Sequence, residues 1–186
     1  MESIVQTKVK AMIVVPLFVG SLCCVFAVIS YIIVSALGIP YRLHIPIAVR
    51  ACGIGVLALG FIFMGWVLKY RRPLAILQST YLTMLKAVTG ALTRETAPRT
   101  EGLILFGPQR HVRHPMYFAV LVMILGWWLV LDYTFILFMF LFFFLWFRFV
   151  VTRFEEQELR ALFGEEYEAY AREVPRLFPS FKPRDR

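Results

Sequence analysis

The sequence predicts an all-α, polytopic membrane bundle of four to five transmembrane helices, closed by a C-terminal helical hairpin. Three observations predict it. The 186 residues are 60% hydrophobic and only 17% charged, whereas a soluble domain is about 45–50% apolar and about 25% charged. The apolar residues collect in four runs of roughly spanning length. No stretch alternates apolar and polar residues as a half-buried strand does. The whole chain, 1–186, reads as a single membrane domain.

The first apolar run covers 11–37, behind Lys8 and Lys10. It exceeds the roughly 20 residues needed to cross, so it tilts or projects. Pro16 and Gly20 are its candidate bend points. It is also too long for the signal-peptide core of about 7–15 residues, and no small-residue cleavage site stands out. The second run, 47–68, stops at Lys69, Arg71, Arg72 and Pro73. Gly53, Gly55 and Gly60 have the look of a nucleotide-binding loop, but such a loop needs a preceding strand. Inside a continuous apolar helix, small residues read as packing surface.

Residues 74–92 are less apolar. Leu74, Leu77, Tyr81, Met84, Leu85, Val88 and Leu92 recur at helical spacing, with Ser79, Thr83, Lys86 and Gly90 on the other side. This is an amphipathic helix, which either lies in the interface or crosses as a fifth, polar-faced span. Residues 93–106 read as a water-exposed connector. The third and fourth spans, 116–131 and 135–151, form a tight antiparallel hairpin around Asp132, Tyr133 and Thr134. Phenylalanine crowds every side of the fourth, as suits a helix touching lipid or other helices all round. From Thr152 the chain turns polar, and 152–186 reads as cytoplasmic helices interrupted at Gly164.

The net charge of +8 is unevenly spread. Residues 69–114 carry eight of the cations against Glu95 and Glu101 alone. Basic segments beside spans mark the cytoplasmic side and offer a site for anionic lipids or an anionic cofactor. Four crossings put both termini and the 69–115 region on that side, with the polar site facing the cytoplasm. No soluble basic module is present, which argues against nucleic-acid binding. Cys23, Cys24 and Cys52 lie in apolar runs without metal spacing and read as small hydrophobes. No metal is called for.

Two stretches carry chemistry. Gly107-Pro108-Gln109-Arg110-His111-Val112-Arg113-His114-Pro115-Met116-Tyr117 places two arginines and two histidines within five residues. Pro115 then suits the first turn of a helix, where its missing amide has no partner to lose. On charge alone this is a positive-inside anchor. The second stretch begins inside the fourth span with Arg148, a charge too costly at that depth to be incidental, unless it snorkels to the nearby edge. At helical spacing Arg148, Thr152, Glu155 and Glu156 share a face. "FGEEYEAY" and "VPRLFP" come next. Left to itself, this segment is a solvated helix with internal pairs such as Glu156 and Arg160.

Together, "RHPMY", the glutamate pair, "FGEEYEAY" and "VPRLFP" resemble the signature of the isoprenylcysteine carboxyl methyltransferase and phospholipid methyltransferase family of integral membrane enzymes. The resemblance covers about residues 102–179. It implies S-adenosylmethionine as cofactor, with Arg113, His114, Pro115, Tyr117, Glu155, Glu156, Tyr167 and Arg176 in its site. Gln109 and His111 stand where related sequences often carry aromatics, and Phe118-Ala119 where a glycine is frequent. Those departures bear on the acceptor.

The residue types suit the chemistry. Arginine and histidine donors hold a cofactor carboxylate, and glutamates hold its ammonium or ribose hydroxyls. Methyl transfer is an in-line displacement, helped mainly by alignment and exclusion of water. The expected reaction is carboxyl O-methylation of a lipophilic or prenylated acceptor drawn from the membrane. Arg148, deeper on the shared face, would orient that carboxylate. Amine N-methylation of a phospholipid is the alternative and would need Glu155 or Glu156 as general base. A nicotinamide-dependent reductase, similar to the sterol reductases in its C-terminal region, and a non-catalytic membrane scaffold are the competing classes.

Overall fold

The computed structural model describes residues 2–89, 102, 103 and 105–180. Its helices are α1 (Glu2–Ala36), α2 (Ile47–Tyr70), α3 (Pro73–Thr89), α4 (Pro115–Leu131), α5 (Thr134–Trp146) and α6 (Thr152–Glu173). Among the described residues there is no β-strand, only an isolated antiparallel bridge between Arg42 and Tyr133. The all-α membrane fold expected from composition is therefore the one observed. The connector expected over 93–106 falls largely outside the described residues, as do the last residues of the amphipathic helix.

α1, α2 and the helix that starts at Thr134 are long and apolar enough to cross a bilayer, and α4 is apolar but shorter. At 1.5 Å per residue the 35 residues of α1 reach about 52 Å, well beyond a hydrocarbon core of about 30 Å. The helix runs unbroken through Pro16 and has room to project. Leu17, Ile62 and Ile54 are among many large apolar side chains left uncovered on α1 and α2, as lipid-facing residues are. α3 is not among the long apolar helices; it packs against α1.

The closest pairing is α2 with α4, and glycine makes it possible. A Cβ on Gly126 would lie 2.7 Å from Leu57 N, and one on Gly53 would lie 2.6 Å from Leu129 Cβ. A Cβ on Gly60 would lie 2.6 Å from Met123 Cγ, while Gly55 faces open space. Gly53 and Gly60 are thus packing residues, as their place inside an apolar helix predicted. α5 and the turn after it are covered on one side only. Phe143 and Phe147 are buried with Tyr117 and Leu121, while Leu141 and Leu145 remain exposed.

The hairpin turns where the sequence places it. Asp132 adopts a left-handed conformation at φ 60°, and its carboxylate accepts from Leu43 N and Ile45 N, each at 3.2 Å. Thr134 donates from its amide to Tyr41 O at 2.9 Å and from its hydroxyl to Pro40 O at 2.6 Å. Arg50 reaches Val130 O with Nε and Nη2, at 3.0 and 2.8 Å. These bonds tie the α1–α2 loop to the α4–α5 turn at one end of the bundle. The start of α1, the end of α2, the start of α4 and α6 meet at the other end. Lys8, Arg71, His114 and Glu155, one from each region, line a single cavity there.

Between α5 and α6 the helix widens into a π-turn over Phe147–Val151, where Thr152 N donates to Phe147 O. The extra residue rotates α5 relative to α6 about the helix axis by about 100°. α6 then breaks at Gly164, whose φ of 50° and ψ of −123° are non-helical. The break where glycine was expected to end a helix is observed, with a second helical segment beyond it.

Candidate functional site

The two chemistry-bearing stretches are joined by backbone hydrogen bonds. Arg113 N donates to Pro175 O at 2.9 Å, His114 N to Arg176 O at 3.1 Å, and Ser180 N to His111 O at 2.8 Å. Tyr170 Oη adds a bond to Gln109 O at 2.8 Å. The "VPRLFP" segment is thus a strap along the loop that leads into α4. A proline at the first position of α4 leaves His114 just outside the helix, with φ −117° and ψ 67°. That conformation aims the imidazole across to α6.

A buried ion cluster sits beneath this seam. Glu156, with no exposure to solvent, accepts from Arg176 Nε and Nη2 at 2.8 and 2.5 Å. Arg113 Nη1 lies 2.8 Å from its Oε1. His114 Nε2 approaches the same oxygen at 3.4 Å, while its Nδ1 lies 3.1 Å from Glu155 Oε2. Both ring nitrogens face carboxylates, which suits an imidazolium, since a neutral ring would turn a lone pair on one of them. Burial opposes the charge on His114, yet the two glutamates prevail and raise its pKa above the ordinary 6.5. Burial likewise opposes ionisation of Glu156, but His114, Arg176 and Arg113 hold its pKa down at about 2.

Above the cluster lies a cavity of about 580 Å³, within the ordinary range for small-molecule sites. Arg113, His114, Pro115, Tyr117, Glu155 and Tyr167 all line it. Glu155 is partly exposed and accepts from Tyr117 Oη at 2.6 Å. Tyr117 stacks on Phe147 with centroids 4.6 Å apart, which fixes the ring that aims this hydroxyl. Among the described residues, six buried side-chain polar atoms lack a hydrogen-bond partner. Four of them, Arg71 Nε, Gln109 Oε1, Arg113 Nε and Tyr167 Oη, belong to residues lining this cavity. Buried polar groups are normally satisfied, so the wall of this cavity holds unused hydrogen-bonding capacity just behind its surface. Burial, reinforced by Glu156, raises the Tyr167 pKa, keeping the phenol a neutral donor.

Three residues named from the sequence are not brought to the cavity wall. Glu156 and Arg176 neutralise each other in the ion cluster, and a carboxylate with both oxygens engaged has nothing left for a ligand. Arg148 is displaced by the π-turn, which breaks the helical face it was expected to share with Glu155 and Glu156. Its guanidinium lies over Phe149, 5.4 Å from the ring centroid. Conversely, Lys8, Arg71 and Gln78 line the cavity without having been assigned to a site, as do Ser79, named only on the polar side of the amphipathic helix, and Gln109, named only as a departure bearing on the acceptor. Lys8 and Arg71 looked like ordinary membrane-edge cations. Only the even number of crossings, which returns α1 and α2 to the same end, hints at their place.

Compared with known proteins, the chain matches the family model described as phospholipid methyltransferase over residues 51–166. The match spans more than half the chain and includes "RHPMY", both glutamates and Gly164. No curated protein and no solved structure matches it.

Proposed function

The chain belongs to the phospholipid methyltransferase family, a family of integral membrane methyltransferases, and on that premise we propose that the cavity binds S-adenosylmethionine beside a lipophilic acceptor. The observation that carries the reading is the gathering of Arg113, His114, Tyr117 and Glu155, drawn from the two chemistry-bearing stretches, at one cavity. When bound, S-adenosylmethionine supplies a methyl group on a sulfonium, activated for in-line displacement.

The residues fit such a group. Glu155 is the sole carboxylate among the described residues that line the cavity and suits a cationic ammonium or sulfonium neighbour. Tyr117 and His114 hold it in place from two sides, so it is preorganised rather than recruited. Arg113, Tyr167 and Gln109 line the same wall and are of the types that meet a carboxylate or ribose hydroxyl. Glu156, Arg176 and the strap do not touch the ligand; they hold Arg113 and His114 in register. Val67, Ile76 and Met116 line the same cavity and keep water from the reacting centre. Lys8, Lys10, Lys69, Arg71, Arg72, Arg110 and Arg113 gather at this end of the bundle, against Arg42 and Arg50 at the other. That bias orients the site toward the cytoplasm.

Isothermal titration of the purified protein in neutral detergent tests the reading. Saturable binding of S-adenosylmethionine with none of NADPH is expected. Binding of NADPH alone would favour a reductase, and binding of neither would favour a scaffold.

A further inference from the structure

The loop from Gly107 to His114 is held on two sides by different means. Toward the strap and α6 it is held by hydrogen bonds, from Arg113 N, His114 N and Ser180 N and from the Tyr170 hydroxyl. None of these bonds reaches α2, which lines the cavity with Val67 and, just past the helix end, Arg71. On the α2 side the loop meets rings. Trp66 and Tyr70 lie four residues apart and so share a helical face. Trp66 lies 5.8 Å from the His111 ring, and Tyr70 lies 5.8 Å from that of Phe106. The tightest contact is at Gly107. Its φ of 65° is a left-handed conformation that favours glycine, and a Cβ there would lie 2.8 Å from Cγ and Cδ2 of Tyr70. The ring therefore rests on bare backbone, where any other residue would push it away. Val67 and Arg71 each follow one of the two aromatic residues in the chain. The face that meets the loop and the face that meets the cavity thus belong to the same turns of helix. How closely Gly107 seats on Tyr70 fixes how far Arg113 and His114 stand from Val67 and Arg71.

We infer that Tyr70 is a positioning residue for the cavity: its ring, seated on Gly107, sets the spacing between α2 and the loop that carries Arg113 and His114. The inference rests on the methyltransferase reading and deepens it by naming a residue that holds the cofactor's donors at their distance. Tyr70 does not itself line the cavity, so it acts through the loop and not on the ligand. The atoms at Gly107 are Cγ, Cδ2 and Cε2, so the ring does this and the hydroxyl does not. A displacement of about 1 Å is enough to spoil a preorganised site.

Isothermal titration with S-adenosylmethionine in neutral detergent, beside thermal midpoints, tests the inference. Tyr70→Phe keeps the ring and should bind as the wild type does. Tyr70→Ala should weaken binding about tenfold, as misalignment of one bond to a charged group implies, and Gly107→Ala should weaken it at least as much. Gly38→Ala is the control. Gly38 has a similar φ of 62° with open space around it, so its replacement should lower the thermal midpoint and leave affinity unchanged. A merely structural contact would lower the midpoint of Tyr70→Ala without changing its affinity, and that result overturns the inference. So does a loss of affinity in Tyr70→Phe equal to that in Tyr70→Ala, or in Gly38→Ala equal to that in Gly107→Ala. A second measurement needs no ligand. Nitroxides on Leu68→Cys of α2 and Ser180→Cys of the strap, with Cys23, Cys24 and Cys52 changed to alanine, report the spacing directly. Their distance distribution should be the same with Tyr70 and with Tyr70→Phe, and shifted or broadened with Tyr70→Ala. If it behaves so while S-adenosylmethionine fails to bind the wild type, the positioning role stands and the methyltransferase reading falls. An unchanged distribution in Tyr70→Ala overturns the positioning role whatever the titration shows.

Discussion

Glu155 and Glu156 are neighbours in the chain that face different surroundings, because consecutive helical residues point about 100° apart. Glu155 opens onto the cavity, whereas Glu156 is sealed among Arg113, His114 and Arg176. Glu156→Gln should therefore destabilise the protein by about 3–5 kcal/mol, since it strands buried cations. A marked fall in thermal midpoint is the measurement. Acidity should act on the same cluster. The Glu156 pKa is lowered from 4.5 to about 2, so its stabilisation is complete above pH 4.5 and is lost as pH falls toward 2. His114 shifts the other way, being raised. Its contribution is complete below 6.5 and is lost as pH rises through the raised value. Thermal midpoints across pH should decline on both sides of a plateau, and His114→Gln should remove the alkaline decline.

Single residues also decide how the helices lie. The π-turn at Phe147–Val151 interrupts the α-helical spacing between Arg148 and the glutamates of α6, and beyond the break at Gly164 both Tyr167 and Tyr170 are buried. At the α2–α4 crossing the tolerance is smallest at Gly126, where the obstructing atom is the backbone of Leu57. Gly126→Ala forces the helices apart and should cost about 1–3 kcal/mol, whereas Gly55→Ala, facing open space, should be near neutral. Thermal unfolding of the two variants side by side checks this. Equal effects would mean that the crossing is not held by close approach.

Across the whole molecule, the readable parts were those governed by local rules. Long apolar runs, Pro115 at a helix start, Asp132–Thr134 at a turn and Gly164 at a break each carry their cause in their own residue types. The two chemical blocks were also legible, and the structure joins them through the strap from Pro175 to Ser180. What local pattern cannot hold is which way a side chain points after an irregular turn. α-Helical spacing grouped Arg148 with Glu155 and Glu156, and the π-turn between them removes the regular spacing on which that grouping relied. Nor does it hold tertiary partnerships: nothing near Glu156 in sequence distinguishes it from Glu155, because Arg113 and Arg176 arrive from elsewhere. Lys8 was illegible for the same reason.

The proposed site requires Glu155 to face the cofactor while Arg148 and Glu156 do not. The most direct measurement is S-adenosylmethionine affinity, by isothermal titration, of Glu155→Gln and Arg148→Ala against the wild type. Glu155→Gln should weaken binding about tenfold or more, as loss of one charge-assisted partner implies, with a smaller fall in thermal midpoint than Glu156→Gln, and Arg148→Ala should bind as the wild type does. Unchanged affinity in Glu155→Gln, or a loss in Arg148→Ala as large, would contradict that arrangement.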